Sequence, residues 1–574
     1  MPSPDWTAKF RARWPSLQSP RASNLAASGQ LADLFVFLSS LALLWFVVPF
    51  GDLDGMIGDN VAQVAYWRIL FHQDFVGSLG TSSMKPGLIL LLGGAHDLSL
   101  ALFQSTALLK LVFALAGAGL AVIVARIAKQ GSGTIAGFGA ALYLLTKTPV
   151  MGMFVEGTSM IVFFPFLLWG VWLFSRGRDA AGAVVLCLAA LIRIEAFGVL
   201  LWLALAEQLF KQRWRRFMFS SAAVAITIAL TVAVYYRAQG SVARFGAGGP
   251  SVGYTYSLEP SAARRLLTSL EYGASFSYEM LFEQCGFPYL AISAVLGLAF
   301  SKWRRFYVSV FAIPLVMMLF ATSGEGGNEL RFYHFLAPLI AAFGASGIVV
   351  AFDLGGRFRA RLPSLLWLLL ALGGVTCFVL RAAVPVCSLS LTLIAAALGA
   401  LFRQWRSVVP PLLWKSAWGL LFAAVLLRAV ALGDWPPTSV IMQYTLDAKD
   451  LLKGKRVPKG QRVLTEDDVI YGVLVRDLRL FRRVDALQAF VVQDDTRRAE
   501  LLDSTDYIAV SKRNYPTYLL KNDPFKRSRS DPFRSAILLA RQGRPTNLYG
   551  HTLVPIEVSR DWIVIKVELQ RDAS

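Results

Sequence analysis

Cysteine is scarce in this chain. Cys187, Cys285, Cys377 and Cys387 are the four among 574 residues, and three of them sit in apolar runs, where a thiol acts as a small hydrophobe. Neither a disulfide framework nor a cysteine-based metal site follows. Charge is scarce too: 16% of residues are charged against 55% hydrophobic, which excludes one soluble domain of this length and fits a chain solvated largely by lipid. No Walker loop or dinucleotide fingerprint occurs, so ATP-driven transport has no support in this chain. The basic N-terminus (Lys9, Arg11, Arg13, Arg21) precedes an apolar run, Leu34–Phe50, that lacks a small-residue cleavage pattern. That run reads as a retained first helix.

What the chain has instead is a series of apolar runs separated by short basic loops. With no water in the hydrocarbon region, such runs pair their backbone internally, which predicts a mainly α, polytopic helical bundle of about 13 helices. The spans fall at Leu34–Phe50, about Leu98–Ala125, Gly133–Thr146 and Thr158–Phe174, then two short spans within Ala180–Phe210 broken at Arg193-Ile194-Glu195, then Phe217–Tyr235. Six follow at about Pro288–Phe300, Phe306–Ala321, Phe332–Val350, Pro363–Leu380, Val386–Leu401 and Leu412–Leu432.

The net charge is +20, and residues 1–433 carry +15 of it. Basic clusters at Arg126/Lys129, Arg176/Arg178, Lys211–Arg216, Lys302–Arg305, Arg357–Arg361 and Arg403/Arg406 each end an apolar run. This is the positive-inside pattern. No basic-aromatic platform accompanies it, so the reading carries no nucleic acid partner. The expected topology has a cytoplasmic N-terminus (1–33), a membrane module (34–432) with external loops at 51–87 and 236–287, and an outward C-terminus. Beyond Trp435-Pro436-Pro437 the pattern becomes water-soluble. Arg462–Thr465, Tyr507–Val510 and Trp562–Val567 read as strands and Thr496–Leu502 as a helix, giving a small extracytoplasmic α/β domain over 433–574. The Ala/Leu/Arg-rich composition and external domain fit a bacterial inner membrane, with that domain periplasmic.

Ionisable residues near membrane depth are costly unless paired or facing water, so the polar residues of the outer loops carry the functional signal. The first loop holds Asp52, Asp54, Asp59, Asn60, Arg68, His72 and Asp74, then Ser83-Met84-Lys85-Pro86-Gly87. From Asp59 to Phe71 apolar residues recur at helical spacing, which suggests an amphipathic helix along the interface. Asp59 then has two readings, as that helix's cap or as a chemical group. His96-Asp97 reads as helix capping. The stretch Tyr254–Tyr256 with Arg264 and Arg265 suits a flap over a site, or an interfacial aromatic belt.

The order Asp59-Asn60, Tyr66, Trp67-Arg68, then Lys85-Pro86-Gly87-Leu88 resembles the GT-C superfamily of polyprenyl-phosphate-sugar-dependent glycosyltransferases, whose corresponding segment reads Asp-Glu, an aromatic, Ala-Arg, then Lys-Pro-Pro-Leu. Glu156 falls where several members place a second acidic residue. Leu191–Gly198 looks like the family's short-helix break, and Glu329-Leu-Arg331-Phe-Tyr-His334 through Pro338 like the start of a late helix. Asn60 and Gly87 depart from the pattern, and the Trp-Trp-Asp signature of oligosaccharyltransferases is absent.

The resemblance implies a hexosyl- or pentosyltransferase that moves a sugar from a polyprenyl-phosphate donor to a glycan, lipid or protein acceptor at the outer face. It implies Asp59 as base and Lys85, Arg68, Arg193, Arg331 and His334 as phosphate or substrate ligands. Lys85 also suits interfacial snorkelling, Arg193 a pair with Glu195, and Arg331 a helix anchor. Glu156 orients Asp59, holds a divalent cation or solvates a turn. The cation, Mg or Mn, is optional, since some relatives need one and others do not. Two other classes compete: a lipid or glycan transporter or flippase, and a non-catalytic envelope-assembly subunit docking through the C-terminal domain.

Overall fold

Apolar runs of this length satisfy their backbone groups in lipid only as helices, and helices dominate the computed structural model. It describes residues 22–47, 67, 85–103, 107–146, 159–211, 213–239, 290–321, 336–358, 363–379 and 384–405 of the membrane module. Of the C-terminal region it describes 457–458, 461–465, 481–486, 495–511, 535–536, 539–540, 542–558 and 562–569. The helices are α1 (Ala22–Val47), α2 (Pro86–Leu88), a π-helical turn (Ile89–Gly93), α3 (Gly94–Phe103), α4 (Ala107–Thr146), α5 (Ser159–Ser175), α6 (Asp179–Ile192) and α7 (Ile194–Lys211). They continue as α8 (Trp214–Gln239), α9 (Ala291–Phe300), α10 (Arg304–Ala321), α11 (Leu336–Phe358), α12 (Ser364–Val379) and α13 (Val384–Trp405). The expected span at Leu412–Leu432 lies outside the described residues.

Paired side chains fix the direction of each crossing. Near the start of α1, Asp33 accepts from Arg126 Nε at 2.8 Å and Lys129 Nζ at 2.5 Å, while Lys110 stands 4.9 Å from the Trp45 ring at the other end of both helices. Gly133, with φ +81, breaks α4 just past Lys129 and lets the chain turn back, a conformation open to glycine without penalty. At the end of α5, Arg126 and Arg176 both stand over Trp172, and Arg216 at the start of α8 bonds the Phe174 carbonyl and Asp179. Arg126, Lys129, Arg176 and Arg216 therefore gather at one end, as the positive-inside pattern predicts.

The start of the second span differs from the sequence expectation. Leu98–Phe103 belongs to α3, and the crossing begins at Ala107. The first-turn N–H of Leu108 needs an acceptor outside its own helix, and Ser99 Oγ supplies it at 3.0 Å. A hydropathy reading is blind to that contact, so it joined two apolar runs into one. Pro86–Phe103 is long and apolar enough to cross a bilayer, as are Ala107–Gln130, Trp214–Val234 and Ala337–Arg357. Yet its two flanks, Lys85 and Ala107, both lie at the end away from the basic clusters, so it does not cross the bundle.

Small residues bring the later helices together. A methyl on Gly297 or Gly347 would overlap backbone of the facing helix in the α9–α11 seam, and Gly355 and Gly399 do the same between α11 and α13. Such close approach suits helices packed in lipid. Ser346 Oγ donates to the Ala128 carbonyl at 2.9 Å, and Ser132 Oγ donates to that of Ser346 at 3.1 Å, which joins α11 to α4. Between α6 and α8, Arg216 is 4% exposed and its Nε is 2.9 Å from Asp179 Oδ1. Removing one partner strands a buried charge. Asp179→Asn should cost about 3 kcal/mol, read as a lower melting temperature in detergent, while Asp179→Leu with Arg216→Met should recover most of it.

The C-terminal region forms a six-stranded mixed sheet in the order β2-β1-β3-β6-β5-β4, from β1 (Gln461–Thr465), β2 (Phe481–Ala486), β3 (Tyr507–Ser511), β4 (Thr546–Leu548), β5 (His551–Val558) and β6 (Trp562–Leu569). Helix α14 (Asp495–Asp503) precedes β3, and β1 pairs in parallel with both β2 and β3. Leu464, Leu502, Ile508, Leu553, Ile563 and Ile565 form its core. Arg462 grips Asp506 with its backbone N–H at 2.7 Å and its Nη2 at 2.6 Å, and this hydrogen bonding raises the guanidinium pKa further above its ordinary value.

Candidate functional site

The end of the bundle away from the basic clusters is where two of the expected site residues meet. Lys85 stands at the N-cap of α2 with an extended backbone, and Pro86 at the first helical position sets the helix going where its missing N–H is harmless. Gly87 then packs directly on the end of α6. A methyl there would meet Leu191 Cβ at 3.0 Å and Ile192 Cγ1 at 3.1 Å. This close approach gives a reason for glycine in place of the second proline of the Lys-Pro-Pro motif.

Arg193 is the break itself. Its φ of −149° and ψ of 137° are extended, between the last residue of α6 and the first of α7, and its N–H still bonds the Ala189 carbonyl at 2.8 Å. Its guanidinium carbon stands 5.9 Å from the Phe163 ring centroid. Lys85-Pro86-Gly87 and Leu191-Ile192-Arg193, separate in sequence, are thus neighbours in space, with two cations at one end of the bundle. Asp59, Arg68, Glu156, Arg331 and His334 lie outside the described residues, and so does the side chain of Glu195.

A third motif packs on the helical stretch that Lys85 opens. Trp67, from the amphipathic stretch of the first loop, packs against Gly93, where a side chain would overlap it, and its indole Nε1 donates to Asp97 Oδ2 at 2.6 Å. The neighbouring His96 is 4% exposed, with Nδ1 3.6 Å from Asp97 Oδ1. Asp97 therefore does more than open a helix: it fixes the residue next to Arg68. The sequence carried the pair but not the partner, because the contact joins positions 30 apart. The π-helical turn Ile89–Gly93 widens the helix just where Trp67 docks, a distortion frequent at functional sites. Gly93→Val should displace the indole and cost about 1–3 kcal/mol of stability through overpacking, against a smaller effect for Trp67→Phe, which keeps a smaller aromatic ring and loses one hydrogen bond. Thermal unfolding of the two variants in detergent reads the difference.

Among the described residues no three His, Cys, Asp or Glu side chains converge as a metal site. The arrangement defines a class: a helical membrane bundle with cations and a pinned aromatic at one end and basic clusters at the other. No protein-family model matches the chain, and no curated protein sequence matches it. Among solved structures it is similar to ArnT from Cupriavidus metallidurans bound to undecaprenyl phosphate, at 14% identity over 93% of this chain and 97% of that one, with a TM-score of 0.43. The apo state of the same protein gives 13%, 95%, 99% and 0.41. An apo oligosaccharyltransferase from Archaeoglobus fulgidus gives 14%, 84% of this chain, 70% of that one and 0.41. At these identities and TM-scores the similarities assign no residue a role.

Proposed function

We propose that the chain is a glycosyltransferase that moves a sugar from a polyprenyl-phosphate donor to an acceptor hydroxyl at the outer face of a bacterial inner membrane, with the C-terminal domain periplasmic. One observation carries this reading: the Lys85 helix start packs on the Arg193 helix break, which sets two cations at the end of the bundle away from the basic clusters. The donor's apolar tail lies between helices and its phosphate at that outer end. Asp59 takes the proton of the acceptor hydroxyl as the oxygen attacks the anomeric carbon. The bond from that carbon to the phosphate oxygen breaks with inversion, and polyprenyl phosphate leaves with the electron pair. Lys85, Arg68, Arg193, Arg331 and His334 stabilise the charge that develops on it. Arginines suit this because their planar fork meets two phosphate oxygens at once. Glu156 orients Asp59.

The test is transfer of radiolabelled sugar from a panel of defined polyprenyl-phosphate donors by the purified protein in detergent, with monodispersity as the check on folding. Product from at least one donor supports the reading. A folded protein that gives none across the panel, yet moves lipid across a vesicle membrane, would instead be a transporter.

A further inference from the structure

The basic end of the bundle holds a second concentration of polar chemistry, which the transfer reaction leaves unused. There α1, α4, α5 and the turn after α5 surround an open cavity of about 560 Å³. Four cations line it, Arg126, Lys129, Arg176 and Arg178, against a single carboxylate, Asp33, which is engaged by Arg126 and Lys129. Among the described residues no carboxylate pairs with Arg176 or Arg178, and both are exposed.

Aromatic rings hold the guanidinium groups in place. Arg126 stands 4.7 Å from the Trp169 ring and 5.4 Å from that of Trp172, and Arg176 stands 5.3 Å from Trp172. A cation over a ring face keeps its planar fork, so its N–H edges can still meet an anion. The lining also carries unused hydrogen-bonding groups. Trp172 Nε1 and both amide atoms of Gln130 are buried, and among the described residues none of them has a partner. Interfacial tryptophans and arginines are common singly. Here four cations and two indoles converge on one cavity, with two unused donors buried in its walls.

We infer that this cavity binds a phosphate-bearing anion, seated between Trp172 and the guanidinium groups of Arg126, Arg176 and Arg178. Planar forks match phosphate oxygens two at a time, and basic pockets between membrane helices at the positive end take anionic lipid head groups. The site lies at the opposite end from Lys85 and Arg193, so it is separate from the donor site and does not depend on the transferase reading. Two sources share the chemistry: the head group of an anionic phospholipid of the facing leaflet, or a free phosphate ester from the aqueous side.

Native mass spectrometry of the delipidated full-length protein separates them. The probes are phosphatidylglycerol, phosphatidylcholine as the zwitterionic control, and glycerol 3-phosphate. The variants are Arg176→Ser with Arg178→Ser, and Trp172→Phe, which keeps a smaller aromatic face and removes the N–H donor. We expect one phosphatidylglycerol to bind ahead of the rest, with affinity about tenfold lower or worse in the double arginine variant and about threefold lower in Trp172→Phe. If glycerol 3-phosphate binds with the same losses and the lipid does not, the inference stands with a free ester as ligand. Equal binding of phosphatidylcholine, or affinities unchanged in both variants, overturns it. Should the double variant melt well below the wild type, Trp172→Phe decides alone.

Discussion

Asp59→Asn should lower transfer by about 10²- to 10⁴-fold, the contribution of a positioned general base, with donor affinity and melting temperature at wild-type values. The substitution also separates the two readings of this residue. Asn caps a helix as well as Asp does, so a capping role predicts almost no change, whereas an amide cannot accept the acceptor's proton. Single-turnover transfer of radiolabelled sugar, with donor saturating, reads the chemical step directly. Wild-type turnover in Asp59→Asn would falsify the assignment of the base and leave the cation cluster in need of another partner.

Arg193 should show the second largest effect. Arg193→Lys keeps a charge but loses the planar fork, and about a tenfold fall in kcat/KM is expected; Arg193→Ala should fall about a hundredfold. The backbone argues that both variants fold. The N–H of Arg193 is bonded to Ala189 and its φ and ψ are open to any residue, so the break between α6 and α7 does not rest on the side chain. If Arg193 only anchors the helix ends over Phe163, both variants melt lower with kcat/KM intact, and the phosphate role is lost.

Much of this fold was legible in the sequence, because lipid makes hydropathy and structure nearly the same thing. The break at Arg193 could be read because two charges interrupt an apolar run, and the turn at Gly133 because a basic cluster and glycines precede it. Contacts between distant positions were not legible. Ser99 bonding Leu108, Gly87 lying on Leu191 and Trp67 reaching Asp97 each depend on a partner that no local pattern names. In the C-terminal region, β1, β3 and β6 stood out as apolar alternations, but β2 did not. Among the described strands it forms one edge of the sheet, and its sequence, with Arg482, Arg483 and Asp485, shows no apolar alternation. β5 was masked by Pro555, where the ladder to β6 slips register. For the site, the sequence supplied the candidate residues, and the structure adds the packing of Gly87 on Leu191 and Ile192, which brings Lys85 and Arg193 to one end of the bundle, and the anchoring of Trp67.

The helical stretch from Pro86 to Phe103 bears on orientation through simple parity. Each crossing flips the side on which the chain emerges, and this stretch begins and finishes on one side. Counting it as a crossing because it is long and apolar would invert every downstream loop and turn the C-terminal sheet to the opposite compartment. Left out of the count, it puts Arg126, Arg176 and Arg216 on the side of Asp33 in α1, which Arg126 grips. A segment that adds length but no flip thus leaves both of its flanks, Lys85 and Ala107, at the end of the bundle that holds Arg193.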